Sequence, residues 1–100
     1  MLLIRTLEWS TAFERDYKRE FKTYGKKKLD DLLADVLGDL MTDQSLPQNK
    51  RDHALVGQWI GLRECHVRPN LLLVYEKYDG DEGNLLFLMR LGSHSELFGL

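Results

Sequence analysis

The stretch IGLRECHVRPNLLLVYEKYDGDEGNLLFLMRL, residues 60–91, decides the fold of this chain. Residues 60–68 alternate in polarity, which is the pattern of a strand with one buried face. After a proline turn, residues 71–78 are more continuously apolar, as expected for a central strand. Residues 79–84 contain two glycines and predict a hairpin loop, after which residues 85–91 return antiparallel. The stretch therefore predicts a three-stranded meander.

The sequence before the meander predicts one strand and two helices. Residues 2–7 are mostly apolar and β-tolerant, so we predict a short strand there. Thr11 and Glu14 have the spacing of a capping box, which predicts the start of a helix. Gly25 is placed to end this helix, and residues 29–40 show the helical periodicity of a second one. Four aromatic residues at helical spacing are expected to form the buried face of the first helix: Phe13, Tyr17, Phe21 and Tyr24.

The order of these elements defines the predicted architecture. The chain reads β-α-α-β-β-β, an α+β fold in which a helical hairpin packs on a mainly antiparallel sheet. Residues 45–51, with one proline, are expected to be a loop, and residues 94–98 a short C-terminal helical turn. One hundred residues supply one modest core and not two, so we expect residues 1–100 to form a single domain.

Composition narrows the class of protein. With 43% hydrophobic and 30% charged residues, the sequence is typical of an ordinary globular protein and not of a disordered one. The apolar runs are too short to span a membrane or to form a signal peptide, and a lone cysteine excludes an internal disulfide. We therefore expect a cytoplasmic protein without membrane contact. Cys65 is expected to point into the core.

Charge is unevenly distributed although the net charge is only −2. Residues 15–28 carry seven lysines and arginines, whereas residues 29–45 carry five aspartates and no basic residue. The plain interpretation is that both are solvated helix faces. The functional alternative is a basic surface for a polyanion beside an acidic surface for a basic partner.

All three histidines fall in the second half of the chain, at His53, His66 and His94. Histidine is the side chain whose ordinary pKa lies nearest neutrality, which suits acid–base chemistry. Strand alternation places Glu64 and His66 on one face, about 6–7 Å apart. Taken singly, each histidine is more commonly a surface or structural residue. No pair has the short spacing of a zinc site, and no nucleotide-binding or protease motif is present, so we expect neither a metal nor a cofactor.

Three motifs follow one another in the second half. They are D-H-x-L-x-G-x-W from Asp52, R-x-x-H-V-x-P from Arg63 and R-x-G-S-H-x-x-L-F from Arg90. In this order and spacing the chain resembles the RelE/ParE toxin superfamily, and most closely its YafQ branch. The resemblance covers roughly residues 46–99, and the β-α-α start agrees with that fold in outline.

The resemblance implies a type II toxin that cuts mRNA in the ribosomal A site. It also implies silencing by a cognate antitoxin, expected to be of the ribbon-helix-helix type, with the toxin a monomer inside a hetero-oligomeric complex. The implied chemistry is metal-independent: the 2′-hydroxyl attacks the adjacent phosphate, with one group acting as base and another as acid. Two alternatives remain, namely a ParE-like toxin that binds DNA gyrase without cutting RNA, and a degenerate, inactive toxin.

The resemblance also assigns roles to residues. The catalytic set is His53, Glu64, His66 and His94, and the substrate-binding set is Asn70, Arg90 and Phe98. Within these sets, His66 and His94 are expected to transfer protons, and His53 and Arg90 to bind phosphate. Phe98 is expected to stack on a base. Glu64 and Asn70 both stand where the branch has aspartate, and because an amide cannot exchange a proton, we expect Asn70 to bind and not to catalyse.

Overall fold

The computed structural model describes residues 4–99, which form a five-stranded mixed sheet with three helices. The elements are β1 Thr6–Trp9, α1 Thr11–Tyr24, α2 Lys26–Met41, β2 His53–Ala54, β3 Arg63–Arg68, β4 Leu71–Gly80, β5 Gly83–Gly92 and α3 His94–Phe98. The strand order is β1-β5-β4-β3-β2, in which β1 runs parallel to β5 and every other pair is antiparallel. The predicted α+β class and meander are confirmed. Part of the strand predicted over residues 2–7 lies outside the described residues, and within them β1 is displaced from the prediction, because it begins at Thr6 and runs to Trp9.

The first helix begins one residue earlier than the predicted capping box implies. Ser10, and not Thr11, is the N-cap, because its side chain accepts a hydrogen bond from the Phe13 backbone N–H at 2.9 Å. The Ser10 hydroxyl also donates to the Met89 carbonyl at 2.7 Å, which ties the helix start to β5. Gly25 ends the helix at φ 81°, as predicted, since this left-handed conformation favours glycine.

The buried face of α1 is more polar than the aromatic pattern predicted. Phe13 is buried, but Phe21 is 41% exposed, and Asp16 and Glu20 are buried instead. The reason lies in β5, whose last residues extend beyond its partner β1. Their unpaired backbone groups need polar partners, and α1 supplies them.

The apolar core lies between the sheet and α2. One face of α2 is buried, as its periodicity predicted, through Leu29, Leu33, Val36 and Leu40. Cys65 and Val67 of β3 pack in the same cluster, and Cys65 is fully buried as expected. The opposite face of β3 therefore stays free to carry the candidate site. Within residues 4–99, none of the helices is long and apolar enough to cross a membrane.

Three further element boundaries, in the second half of the chain, differ from the predictions. The predicted strand over residues 60–68 begins only at Arg63, because residues 57–59 form a 3-10 turn and Ile60 is 80% exposed. The predicted loop over residues 79–84 is a tight turn, since β4 and β5 pair as far as Gly80 and Gly83. The predicted loop over residues 45–51 contains a 3-10 turn at Gln48–Lys50, and the two-residue strand β2 follows it.

Candidate active site

Strand register and a helix start bring four predicted side chains together. The β2–β3 pairing sets His53 opposite Glu64. His66 is two residues further along β3 and therefore shares the face of Glu64. His94 is the first residue of α3, which follows β5 directly. We call these four residues, His53, Glu64, His66 and His94, the histidine cluster.

Glu64 is the centre of the histidine cluster. Its Oε1 atom lies 3.6 Å from Nε2 of His94, 3.8 Å from that of His53 and 3.9 Å from that of His66. The Glu64 side chain is only 3% exposed. These distances exceed ordinary hydrogen-bond lengths, so a buried carboxylate faces three imidazoles without being tightly bound to any of them. The rings of His66 and His94 are 6.0 Å apart, centre to centre.

The orientation of His53 is fixed by the segment that precedes it. Its Nδ1 donates to the Arg51 carbonyl at 2.7 Å, so Nε2 is the nitrogen that faces Glu64. Asp52 anchors the same segment, because it accepts hydrogen bonds from the Tyr75 hydroxyl at 2.5 Å and from Arg63 Nε at 3.2 Å. Asp52 therefore holds β2 against the sheet.

His66 differs from the other two histidines in its burial. Its side chain is 14% exposed, against 50% for both His53 and His94. Burial lowers the pKa of His66 below its ordinary value, and the charges of Arg51 and His94 lower it further. Glu64 opposes them and raises the same pKa, but the balance remains a lowered one. His66 is therefore neutral at pH 7 and able to accept a proton.

His94 is positioned by the capping box of α3. The Ser93 hydroxyl accepts from the Glu96 backbone N–H at 3.2 Å, and the Glu96 carboxylate accepts from the Ser93 N–H at 2.8 Å. Glu96 also forms an ion pair with Arg19 of α1 at 2.9 Å. The start of the helix that carries His94 is thus held by its own capping box and by Arg19 of α1.

Phe98 lies beside His94, as predicted. Its ring packs edge-on against Trp59 at 5.5 Å and lies 5.9 Å from the His94 ring. Both distances join ring centres. Phe98 is partly buried against a small apolar cluster of Leu72, Val74 and Leu97 on this face of the sheet. The site therefore has an aromatic wall next to His94, one of its two half-exposed histidines.

Arg90 is not brought into the histidine cluster. It lies in the same cross-strand row as Glu64, through Val74, which places the two about 10 Å apart across the sheet. Its guanidinium binds the buried Asp16 carboxylate through Nε at 2.6 Å and Nη2 at 3.2 Å. Asp16 also accepts from the Leu91 N–H at 3.0 Å. The Arg90 charge is therefore neutralised within the fold.

Asn70 is exposed in the turn between β3 and β4, just past the register shift that follows His66. Sequence reasoning gave no role to Asp16, Arg51, Asp52 and Trp59, although Asp52 and Trp59 belong to the first quoted motif. Within residues 4–99, no group of three or more histidine, cysteine, aspartate or glutamate side chains has the geometry to hold a metal ion.

Comparison with known proteins agrees with this architecture. A family model described as the bacterial toxin of a type II toxin-antitoxin system, YafQ, matches residues 5–99. The mRNA interferase toxin YafQ of Escherichia coli K12 is 32% identical over 99 residues, covering 98% of this chain and 100% of that protein. The putative toxin YafQ of Haemophilus influenzae is 44% identical over 57 residues, covering 57% of this chain and 56% of that protein.

Solved structures show the same fold. The metal-bound toxin from Helicobacter pylori has a TM-score of 0.81 at 44% identity, covering 95% of this chain and all of that one. The E. coli DinJ–YafQ toxin–antitoxin complex has a TM-score of 0.78 at 32% identity, covering 95% and 98%. The family model and the full-length relative thus identify a small α+β toxin of a type II toxin-antitoxin system. The chain belongs to the YafQ family.

Proposed function

We propose that this toxin is an endoribonuclease that cleaves mRNA by attack of the 2′-hydroxyl on the adjacent phosphate. The observation that carries the proposal is the convergence of three imidazoles within 3.6–3.9 Å of one buried carboxylate. This chemistry requires a base, an acid and positive donors, and histidine supplies all three near neutral pH. The E. coli relative, which spans the full chain, is named an mRNA interferase.

His66 is the general base in this proposal. Because its pKa is lowered by burial, it is neutral at pH 7 and accepts the 2′-proton. His94, half exposed and 6.0 Å away between ring centres, is the general acid that protonates the leaving 5′-oxygen. The two rings are close enough to each other to contact one phosphodiester group from the same side. Each proton transfer contributes about 10²–10⁴-fold to the rate.

The remaining predicted residues assist in this proposal. The negative charge of Glu64 stabilises whichever imidazole becomes protonated during the reaction. His53 binds the phosphate, Phe98 stacks on a base next to His94, and Asn70 hydrogen bonds to the substrate. Arg90, in the same cross-strand row as Glu64, contributes only the positive potential that its ion pair with Asp16 leaves. These roles remain predictions.

The proposed reaction needs no metal ion. Its acid, base and charged donors are all side chains of the histidine cluster, and cleavage should therefore persist in EDTA at a concentration that strips divalent ions from the toxin. Ribosomes themselves need magnesium, so EDTA cannot be present in a ribosome assay. For that assay the toxin is treated with EDTA and desalted beforehand. Activity that returns only after a transition metal is added back would refute this point.

The partners follow from the family and from the relatives. We propose that the substrate is mRNA in the ribosomal A site, so the toxin acts in the cytoplasm. An antitoxin silences it, as indicated by the E. coli DinJ–YafQ complex, and we propose one with a ribbon-helix-helix domain. On α2, Asp30 and Asp31 are paired with lysines of the same helix, whereas Asp35 and Asp39 form no ion pair among the described residues and are available to a basic segment of such a partner.

The direct test is in vitro translation followed by primer extension. The wild-type toxin should produce discrete cuts within the translated frame, and His66→Ala with His94→Ala should abolish them. Arg15→Ala, a change at an exposed position of α1, is the matched control that should cut normally. Unchanged cleavage by the double variant would overturn the assignment of acid and base.

A further inference from the structure

Arg51 is a cation that the proposed reaction has not yet used. It follows the 3-10 turn Gln48–Lys50, is exposed, and offers its carbonyl to His53 Nδ1 at 2.7 Å. Within the described part of the chain, its guanidinium forms no ion pair. Arg90, in contrast, is bound to a buried carboxylate. Arg51 is therefore an arginine near the histidine cluster whose charge is available to a ligand.

The Arg51 backbone conformation is one that arginine rarely adopts. Its φ and ψ are 49° and 44°, in the left-handed region, and its N–H donates to the Gln48 carbonyl at 3.0 Å. Glycine or asparagine would occupy this position at lower cost. An arginine in such a conformation next to a site is consistent with a functional side chain.

Arg51 lines a cleft that opens beside His66. The cleft has a volume of about 270 Å³ and is lined by Asn49, Arg51, His66 and Pro69. A second cleft of about 330 Å³ shares three of these residues and adds Lys50 and Arg68. Lys50 donates to the Val67 carbonyl at 3.1 Å, so its amine is partly engaged. A positively charged path therefore leads away from the proposed general base along the edge of β3.

We propose that the cleft formed by Asn49, Arg51, His66 and Pro69, here called the phosphate cleft, binds an RNA backbone phosphate next to the scissile one. This inference rests on the proposed ribonuclease function and adds a substrate-binding site to it. Arg51 supplies paired N–H donors suited to phosphate oxygens, and Asn49 supplies an amide donor. Arg51 and His66 line the same cleft, so the Arg51 charge is close enough to lower the pKa of His66.

The proposal is tested by the salt dependence of RNA binding. The probe is a fluorescent RNA hexamer with 2′-O-methyl groups, which binds but cannot be cleaved. Loss of one phosphate contact should reduce the slope of log Kd against log salt by about 0.7. The variant is Arg51→Gly, which removes the guanidinium and suits the left-handed backbone, so its folding is preserved. We expect about tenfold weaker binding at low salt.

Two controls sharpen the test. Arg51→Lys keeps the charge and should retain most of the wild-type slope. Arg15→Ala removes one positive charge from α1, outside the phosphate cleft, and is the control for loss of charge alone. Alanine is used instead of glycine because glycine would weaken the helix. The salt slope of this variant should equal the wild-type value. An Arg51→Gly slope equal to the wild-type slope would overturn the proposal, as would failure of the wild-type protein to bind the hexamer.

Cleavage on programmed ribosomes separates this inference from the proposed function. If the wild-type toxin cuts mRNA while Arg51→Gly changes neither the KM nor the salt slope, the phosphate cleft is refuted and the ribonuclease assignment stands. If the wild-type toxin does not cut mRNA, the ribonuclease assignment fails regardless of the hexamer result. The expected result is cleavage by the wild type and a KM raised about tenfold by Arg51→Gly.

Discussion

Two buried carboxylates, Asp16 and Glu64, show how this small domain separates stability from chemistry. Their side chains are 4% and 3% exposed. Asp16 accepts from Arg90 at 2.6 Å, from Arg19 at 2.9 Å and from the Leu91 N–H at 3.0 Å. Glu64 faces three imidazoles, each at 3.6 Å or more. The first carboxylate is fully bound by permanent donors, whereas the neighbours of the second can gain and lose protons.

Asp16 and its donors Arg19, Arg90 and the Leu91 N–H, here called the Asp16 group, take the place of β1 beside the last residues of β5. β1 pairs with β5 only as far as Leu88, and beyond that point α1 side chains take over. Asp16 accepts from the Leu91 N–H, while Arg19 donates to the Leu91 carbonyl at 2.6 Å. The part of β5 that extends beyond β1 is thereby covered by a helix, which protects it from pairing with other chains. This is a structural role for buried charge.

The largest expected effect is on stability, at Asp16. Asp16→Ala removes the acceptor for Arg90 and for a buried backbone N–H, and should lower the free energy of unfolding by about 3 kcal/mol. The value lies at the low end for buried pairs because Arg90 is 30% exposed. Urea denaturation measures it. Asp31→Ala, at an exposed position of α2, is the control, and an equal loss in both variants would contradict the structural role.

Glu64→Gln should produce the opposite result. The amide matches the carboxylate in shape but has no charge, so stability should be unchanged or higher, because the penalty for burying a charge disappears. Cleavage should fall by about 10²-fold, since the protonated imidazole loses its counter-charge. Glu64→Asp should recover part of the activity. If Glu64→Gln were less stable but cleaved RNA normally, Glu64 would be a structural residue like Asp16.

Glu64→Gln should also change the pH dependence of kcat/KM. Glu64 raises the pKa of His66, so Glu64→Gln should lower that pKa further. Because His66 acts as base in its neutral form, the acidic limb of the kcat/KM profile should move to lower pH. The profile is measured with wild type and variant on one substrate. If the acidic limb stays at the same pH, the group that titrates there is not His66, and His66 is not the general base.

The surroundings of Glu64 could largely be predicted from the sequence, whereas those of Asp16 could not. A period of two placed Glu64 and His66 on one face and Cys65 on the other, and the register then brought His53 opposite Glu64. The Asp16 group could not be predicted, because it depends on where β1 ends relative to β5. In the sequence, Asp16 is simply one polar residue on an amphipathic helix. The strand β2 is likewise too short to show any periodicity.

Gly92→Ala should have a smaller effect that links the two regions. A Cβ at this position would lie 2.5 Å from Arg19 Nη2 and 3.1 Å from Glu96 Oε1, so both side chains must move. We expect a loss of about 1 kcal/mol and reduced cleavage, because Glu96 holds the start of the His94 helix. Thermal unfolding and primer extension measure the two effects. Gly38→Ala, with no neighbour within 4 Å, is the control and should be neutral or stabilising.

The smallest effect concerns acid stability. Burial alone would raise the pKa of Asp16, but hydrogen bonds from Arg90 and Leu91 hold it below its ordinary value. Arg5 and Lys77 lower the pKa of Asp43 to about 2. A lowered pKa gives stability that is present above the ordinary value of 3.8 and lost as pH falls towards the lowered one.

Unfolding free energies of the wild type should therefore decrease from about pH 4 towards pH 2. In Asp16→Asn, the unfolding free energy should decrease less steeply with falling pH, because the contribution of Asp16 is removed. The contribution of Asp43 should remain. Denaturation at several pH values measures the slope. An identical slope in wild type and variant would show that Asp16 is not held in its charged form by its donors.

The central claim, that the cluster around Glu64 cleaves RNA by 2′-hydroxyl attack, is tested most directly by the ends of the cut mRNA. The fragments come from programmed ribosomes and from toxin stripped of metal with EDTA. The account predicts a 2′,3′-cyclic or 3′-phosphate on one fragment and a 5′-hydroxyl on the other, with no product when the scissile nucleotide is 2′-deoxy. A 3′-hydroxyl with a 5′-phosphate, or cleavage of the 2′-deoxy substrate, would contradict it.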